Sequence, residues 1–267
     1  SEKGTRGLSF GFHRAMDNLG GVVGPLLAIV ILSFLGNNYR VLFLIAFLPT
    51  LVGVALVATF IKDVQKNKEK NEEIKFLWAK TNTSFKIFLI ISFIFALGNS
   101  SEAFMILRAQ NLGLSISLTI LAYVLYKVVN TIFSVPIGIL ADKFGSRKGL
   151  FGGFLTFSLV YWLFGVANEA RILWLLFPAY GIFLALTEGV AKSYLSSLVP
   201  HEIVASAFGI YQTLLGVATL LASVIAGFLW TYSGPRSPFY FGSTLALAAA
   251  ILFLVLTKQS RARVVVS

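Results

Sequence analysis

Four ionisable side chains stand inside long apolar stretches. Glu102 lies in GNSSEAF, Lys127 follows LAYVLY, and Glu188 and Lys192 share LTEGVAKSY. Charge is expensive at depth in hydrocarbon and is kept there for a cavity, a partner or an ion path. Two carboxylates and two ammoniums can exchange protons, pair with one another or meet a charged solute. The chain has no cysteine, which removes thiol nucleophiles and thiolate metal sites. Its two histidines, His13 and His201, lie far apart at the margins of apolar segments. No histidine or carboxylate cluster gathers for acid–base catalysis. The residues point away from an enzyme, a metal site or a bound cofactor.

Spacing refines this. Tyr123, Asn130, Thr131 and Ser134 fall on the same helical face as Lys127 and make a polar stripe in an apolar helix, the best cavity lining in the chain. Glu188 and Lys192 are four apart with the acid first, the favourable order for an intrahelical ion pair. The alternative is that Glu188 gains and loses a proton, with Lys192 biasing it. Glu102 can pair with Lys127 or Arg108. Asp17, close to Arg14, reads as a helix-end or gate residue.

The elements that position these groups follow from composition. Of 267 residues, 57% are hydrophobic and 12% charged, and mean hydropathy is +0.84. A soluble domain carries roughly 25% charged residues, so this chain cannot cover a water-facing surface. Its apolar runs are continuous rather than alternating, which selects helices over a membrane barrel. The sequence predicts an all-α polytopic membrane protein with eight transmembrane helices at 16–35, 41–61, 85–107, 115–141, 149–167, 172–198, 203–233 and 239–257. The polar stripe of the seventh, Gly209, Gln212, Gly216, Thr219, Ser223 and Gly227, reads as a packing seam. The Phe side chains read as lipid-facing or packing residues.

Sixteen Lys and Arg fall in one set of alternate connections and four in the other. The positive-inside rule then puts both termini in the cytoplasm of a multi-pass cell-membrane protein. With basic residues so placed, the net charge of +11 argues for membrane topology and not for nucleic acid. The one long polar connection, 62–86, reads as a solvated linker with a short surface helix near Ile74–Trp78, or as an anionic-lipid or regulatory contact. The chain opens at Ser1 without an initiating Met, in what reads as a cytoplasmic loop. Phe10-Gly11 before one Gly-rich helix echoes Phe208-Gly209 before another, six spans later. Such an echo suggests a six-helix unit used twice.

The run GILADKFGSRK, which contains Gly138, Asp142, Lys143, Gly145, Arg147 and Lys148, resembles the G-x-L-A-D-[RK]-x-G-x-[RK]-[RK] loop of the major facilitator superfamily. Ser146 departs from it, where the family often has Arg. A second run, GGVVGPLLA with Gly20, Gly24 and Pro25, is similar to the glycine-proline signature in the fifth span of proton-coupled drug exporters of that superfamily, with Leu27 and Ala28 replacing its final glycines.

The resemblance implies spans 5 to 12 of a twelve-span transporter. Residues 1–61 would be the last two helices of the N-terminal bundle, 62–86 the linker, and 87–267 a complete C-terminal six-helix bundle. The expected activity is secondary transport of a small solute by alternating access, with protons as the driver and export as the direction. Glu102, Tyr123, Lys127, Asn130, Glu188 and Lys192 would serve substrate and proton coupling, and the loop motif the cytoplasmic gate. The expected partners are the solute, protons, the lipid bilayer and the missing N-terminal helices, without which the chain should not transport. The alternative is a non-transporting membrane scaffold or receptor of the same fold.

Overall fold

A computed structural model describes residues 6–34, 38–60 and 81–264. Among them are nine α-helices: α1 (Arg6–Phe34), α2 (Tyr39–Phe60), α3 (Thr83–Gly98), α4 (Ala103–Asn111), α5 (Ile116–Phe144), α6 (Ser146–Val166), α7 (Leu173–Leu198), α8 (Val204–Ser233) and α9 (Ser237–Val264). Short 3-10 turns at Ala170–Ile172 and His201–Ile203 lead into α7 and α8. With α3 and α4 counted as one broken span, seven helices are long and apolar enough to cross a bilayer. In α2 the described apolar stretch, Arg40–Leu56, is shorter, so seven of the eight expected spans meet that length.

Three expected boundaries are corrected. The first helix begins at Arg6 and not near Met16, so most of the presumed entry loop is helical. Hydropathy is blind to this, because the added turns are held by tertiary contacts. The Leu8 N–H donates to Asp142 Oδ2 at 3.0 Å, and Gly11 lies so close to α5 that a Cβ there would meet the Ser134 carbonyl oxygen at 2.5 Å. The third span is not continuous. It breaks at Asn99–Glu102, where the Asn99 N–H closes α3 on the Phe95 and Ala96 carbonyls and the Ser101 hydroxyl accepts the Ala103 N–H. Short polar side chains compete in this way for the backbone bonds a helix needs. The last helix runs past Thr257 to Val264. The surface helix expected at 74–78 lies outside the described residues.

The core sits among α3, α6, α7 and α9, and it is aromatic. Phe95 stacks on Phe154 with ring centroids 4.5 Å apart, and Phe157 meets Phe183 at 4.7 Å. Phe88, Phe157, Phe164, Phe177 and Phe253 are fully buried, so many phenylalanines pack inside instead of facing lipid. Glycine lets two helices touch: a Cβ on Gly98 of α3 would stand 2.8 Å from the Gly242 carbonyl oxygen of α9. A single glycine, Gly145 at φ +93°, makes the turn from α5 to α6.

Alternate connections meet at the same end of the bundle. Asn82 caps α3 by accepting the Phe85 N–H at 2.8 Å, and its amide donates to the Leu198 carbonyl at the end of α7. At the opposite end the buried Arg108 guanidinium donates to the carbonyls of Phe164 and Ala167, at 3.2 and 2.7 Å, and to Asn111. Helix α1 lies chiefly along α5 and also meets α7, whereas α2 touches mainly α1.

Candidate functional site

Helix α5 is the spine of the site, because α1 and α7 both pack on it. Gly181 of α7 sits against the α5 backbone, where a Cβ would come within 3.1 Å of Val129. Gly21 of α1 lies under the Lys127 stem at 3.4 Å by the same measure. Lys127 is thus enclosed between α1 and α5.

The break between α3 and α4 delivers Glu102 to this lysine. Glu102 Oε1 is 3.7 Å from Lys127 Nζ, and its other oxygen accepts a hydrogen bond from the Tyr126 hydroxyl. The ammonium also lies 4.9 Å from the Tyr126 ring centroid and 5.6 Å from that of Tyr123, close enough for cation–π attraction. Of the two pairings open to Glu102, the structure selects Lys127, while Arg108 is spent on backbone carbonyls. Tyr126 was not anticipated. Its neighbour at the break, GNSSE, carried the signal: four small or polar residues before an acid inside an apolar span.

One helical turn further along α5 the stripe continues inward. The Ser134 hydroxyl donates to the Asn130 carbonyl and lies 3.0 Å from its Oδ1, and Asn130 Nδ2 donates to Glu188 Oε2 at 3.5 Å. Asn130 is fully buried. Glu188 and Lys192 lie one turn apart on α7, with Glu188 bonded across to α5. Both line a chamber of about 250 Å³ between α3, α6, α7 and α8. Phe88, Phe154, Phe183 and Tyr211 form its apolar walls, and Ser92, Asn99, Thr187 and Gln212 supply neutral polar groups. Glu102 and Lys127 do not line it. The four ionisable residues therefore form two centres, and α5 carries both Lys127 of one and the Asn130 that bonds Glu188 of the other.

The stripe on α8 is corrected in part. Gln212 and Thr219 line the chamber, and the Ser223 hydroxyl accepts the Ser101 N–H at the helix break. Yet among the described residues nothing stands within 4 Å of the place a Cβ would take on Gly209, Gly216 or Gly227, so these glycines form no packing seam here. Instead Ala218, Ala222 and Ala226 are buried. The glycine-proline run of α1 is similar, with open space at Gly20 and Gly24. Asn18 of the same helix is buried, and among the described residues its amide nitrogen has no hydrogen-bond partner.

The loop motif clusters at the end carrying the α5–α6 turn. Gly138 is buried in α5, Asp142 accepts the Leu8 N–H, and Arg147 donates to the Leu254 carbonyl of α9 at 3.2 Å. Lys143 and Lys148 are exposed. Asp17, three turns into α1 and so no helix-end residue, stands 3.3 Å from His13. At the same end Phe10 and Phe208, the residues of the internal echo, bring their rings to 6.1 Å.

Comparison with known proteins covers nearly the whole chain. The family model described as Major Facilitator Superfamily matches residues 1–107 and 88–266. An uncharacterized MFS-type transporter of Methanocaldococcus jannaschii is 35% identical over 258 residues, which is 94% of this chain and 64% of that protein. Multidrug resistance protein 2 of Bacillus subtilis is 24% identical over 193 residues, 72% of this chain and 46% of that protein. The quinolone resistance protein NorA of Staphylococcus aureus is 26% identical over 144 residues, 54% of this chain and 36% of that protein. The chain thus spans less than two thirds of the length of each of these relatives.

Proposed function

The chain belongs to the major facilitator superfamily, a family of multi-pass membrane transporters of small solutes and not of enzymes, and from that premise we propose proton-coupled export of an amphipathic solute by alternating access. The observation that carries this reading is the chamber beside α7, where aromatic walls, one carboxylate and one ammonium line the same cavity. Such a surface suits a solute with a flat apolar body and a charged group. The names of two relatives, which speak of multidrug and quinolone resistance, support the same class and the direction of export. Glu188 binds the solute or the proton, Asn130 orients Glu188, and Lys192 holds an anionic group or biases the carboxylate.

The Glu102–Lys127 centre acts as the coupling pair. Protonation of Glu102 would release Lys127 from it and loosen the junction between the α3–α4 break and α5. Residues 1–61 serve as two helices of one bundle and 87–267 as the second, with 62–86 between them and the α5–α6 turn in the cytoplasm. There the motif residues act as the gate: Asp142 grips the first turn of α1, Arg147 grips α9, and the Phe10–Phe208 contact closes the end.

The test is a panel of amphipathic solutes, quinolones included, moved across membrane vesicles from cells carrying the native gene, with and without a proton gradient. Gradient-dependent movement that Glu188→Gln abolishes supports the proposal, and movement indifferent to that substitution counts against it. Among the described residues, Gly20 and Gly24 of α1 and Gly209, Gly216 and Gly227 of α8 face open space, which leaves the proposed solute path uncovered on that side. The purified 267-residue chain in liposomes is therefore expected to give no flux above empty liposomes.

A further inference from the structure

We propose that the turn between α5 and α6 binds an anionic phospholipid, its phosphate on Arg147 and Lys148 and an acyl chain along the groove between α6 and α9. A second cavity, of about 430 Å³, opens here and is lined by Phe144, Arg147, Lys148, Phe151, Phe253 and Leu254. Its contents are chemically split. One part is cationic, the other wholly apolar.

No carboxylate among the described residues lines the cavity beside the two cations. Arg147 uses a guanidinium N–H on the Leu254 carbonyl, which fixes the group at the cavity and leaves its other donors for a ligand. Among the described residues neither Arg147 nor Lys148 forms an ion pair with a carboxylate. Lys143 adds a third cation, its ammonium 5.5 Å from the Phe144 ring centroid. Arg147 and Lys148 also occupy the first turn of α6, where the helix's own partial charge is positive. Folding alone does not reward that arrangement, whereas an anion does.

The apolar part identifies the anion's carrier. Phe144 and Leu254 keep 56% and 49% of their surface exposed, and Ile251 and Val255 continue the exposed apolar surface along α9. A free phosphate would leave these walls uncovered. A lipid satisfies both parts at once, and the site lies at the ends of the spans, the depth of the headgroups. The proposal does not depend on the transport reading.

Native mass spectrometry of the purified chain in detergent, titrated with phosphatidylglycerol or phosphatidylcholine, tests it. Phosphatidylglycerol should be retained about tenfold more strongly, and Arg147→Gln/Lys148→Gln should erase that preference. Arg171→Gln/Arg236→Gln, at the opposite end, should leave it intact. Lys148→Gln alone, at an exposed side chain, should weaken retention severalfold and serves if the double variant loses its helical circular dichroism. Equal retention of the two lipids, or undiminished retention by the folded double variant, would overturn the proposal. Displacement by an equal concentration of glycerol 3-phosphate would overturn it as well, since it would make the ligand a free anion.

Discussion

The molecule holds two sets of one glutamate and one lysine, built alike and treated differently. Glu102 and Lys127 come from separate elements and are knit together, with Tyr126 bonded to the acid and two rings beside the base. Glu188 and Lys192 are neighbours on one helix, ideally spaced to pair, and they face a chamber with the acid tied to Asn130. Each acid thus bonds across to another helix, whatever the spacing along its own. Where a third group, the Tyr126 hydroxyl, completes the bonding, acid and base stand together. In the aromatic chamber the acid is bonded across to Asn130 of another helix, and both charged residues line the cavity.

That contrast can be broken from either side. The largest effect should come from Glu102→Gln, which leaves the Lys127 ammonium enclosed without its counter-charge. A loss of about 2 kcal/mol is expected, on the low side for breaking a buried pair because Glu102 keeps a third of its side chain exposed. Glu102→Gln combined with Lys127→Met should recover most of it, since replacing both partners is far milder than removing one. Thermal unfolding in detergent, followed by helical circular dichroism, reads both. Next is Glu188→Gln, expected to leave unfolding unchanged and to weaken binding of whichever solute the vesicle screen identifies by about tenfold, equivalent to ~1.4 kcal/mol. If it destabilises the protein as much as Glu102→Gln does, the open centre is structural after all. The smallest is Tyr126→Phe, which removes one hydrogen bond to a charged acceptor and should cost about 1 kcal/mol. An unchanged midpoint would mean that Tyr126 does not hold Glu102.

How far the sequence foretold this depends on range. The helices were readable because a chain in hydrocarbon must satisfy its backbone internally, so apolar length alone marks a span. The pairing of Glu102 with Lys127 was one of two options, and only the packing of Arg108 on the Phe164 and Ala167 carbonyls removes the other. The bond from Asn130 to Glu188 crosses between α5 and α7 and has no local signature. The start of α1 was missed because its first turns are held by Asp142 and Gly11 contacts instead of by hydrophobicity. The echo of Phe10 and Phe208 was visible as a repeat, but their contact, which needs α1 and α8 side by side at one end, was not.

The way α1 is held has a mechanical consequence. Its first three turns carry the bond to Asp142, the close approach at Gly11 and the Phe10–Phe208 contact. Further on, among the described residues, Gly20 and Gly24 face open space. A helix of 29 residues is about 43 Å long at 1.5 Å per residue. Held at its first tip and again where Gly21 meets the Lys127 stem, such a rod turns a swing of about 10° beyond Gly21 into a sweep of roughly 3 Å at its far tip, like an oar gripped at mid-shaft.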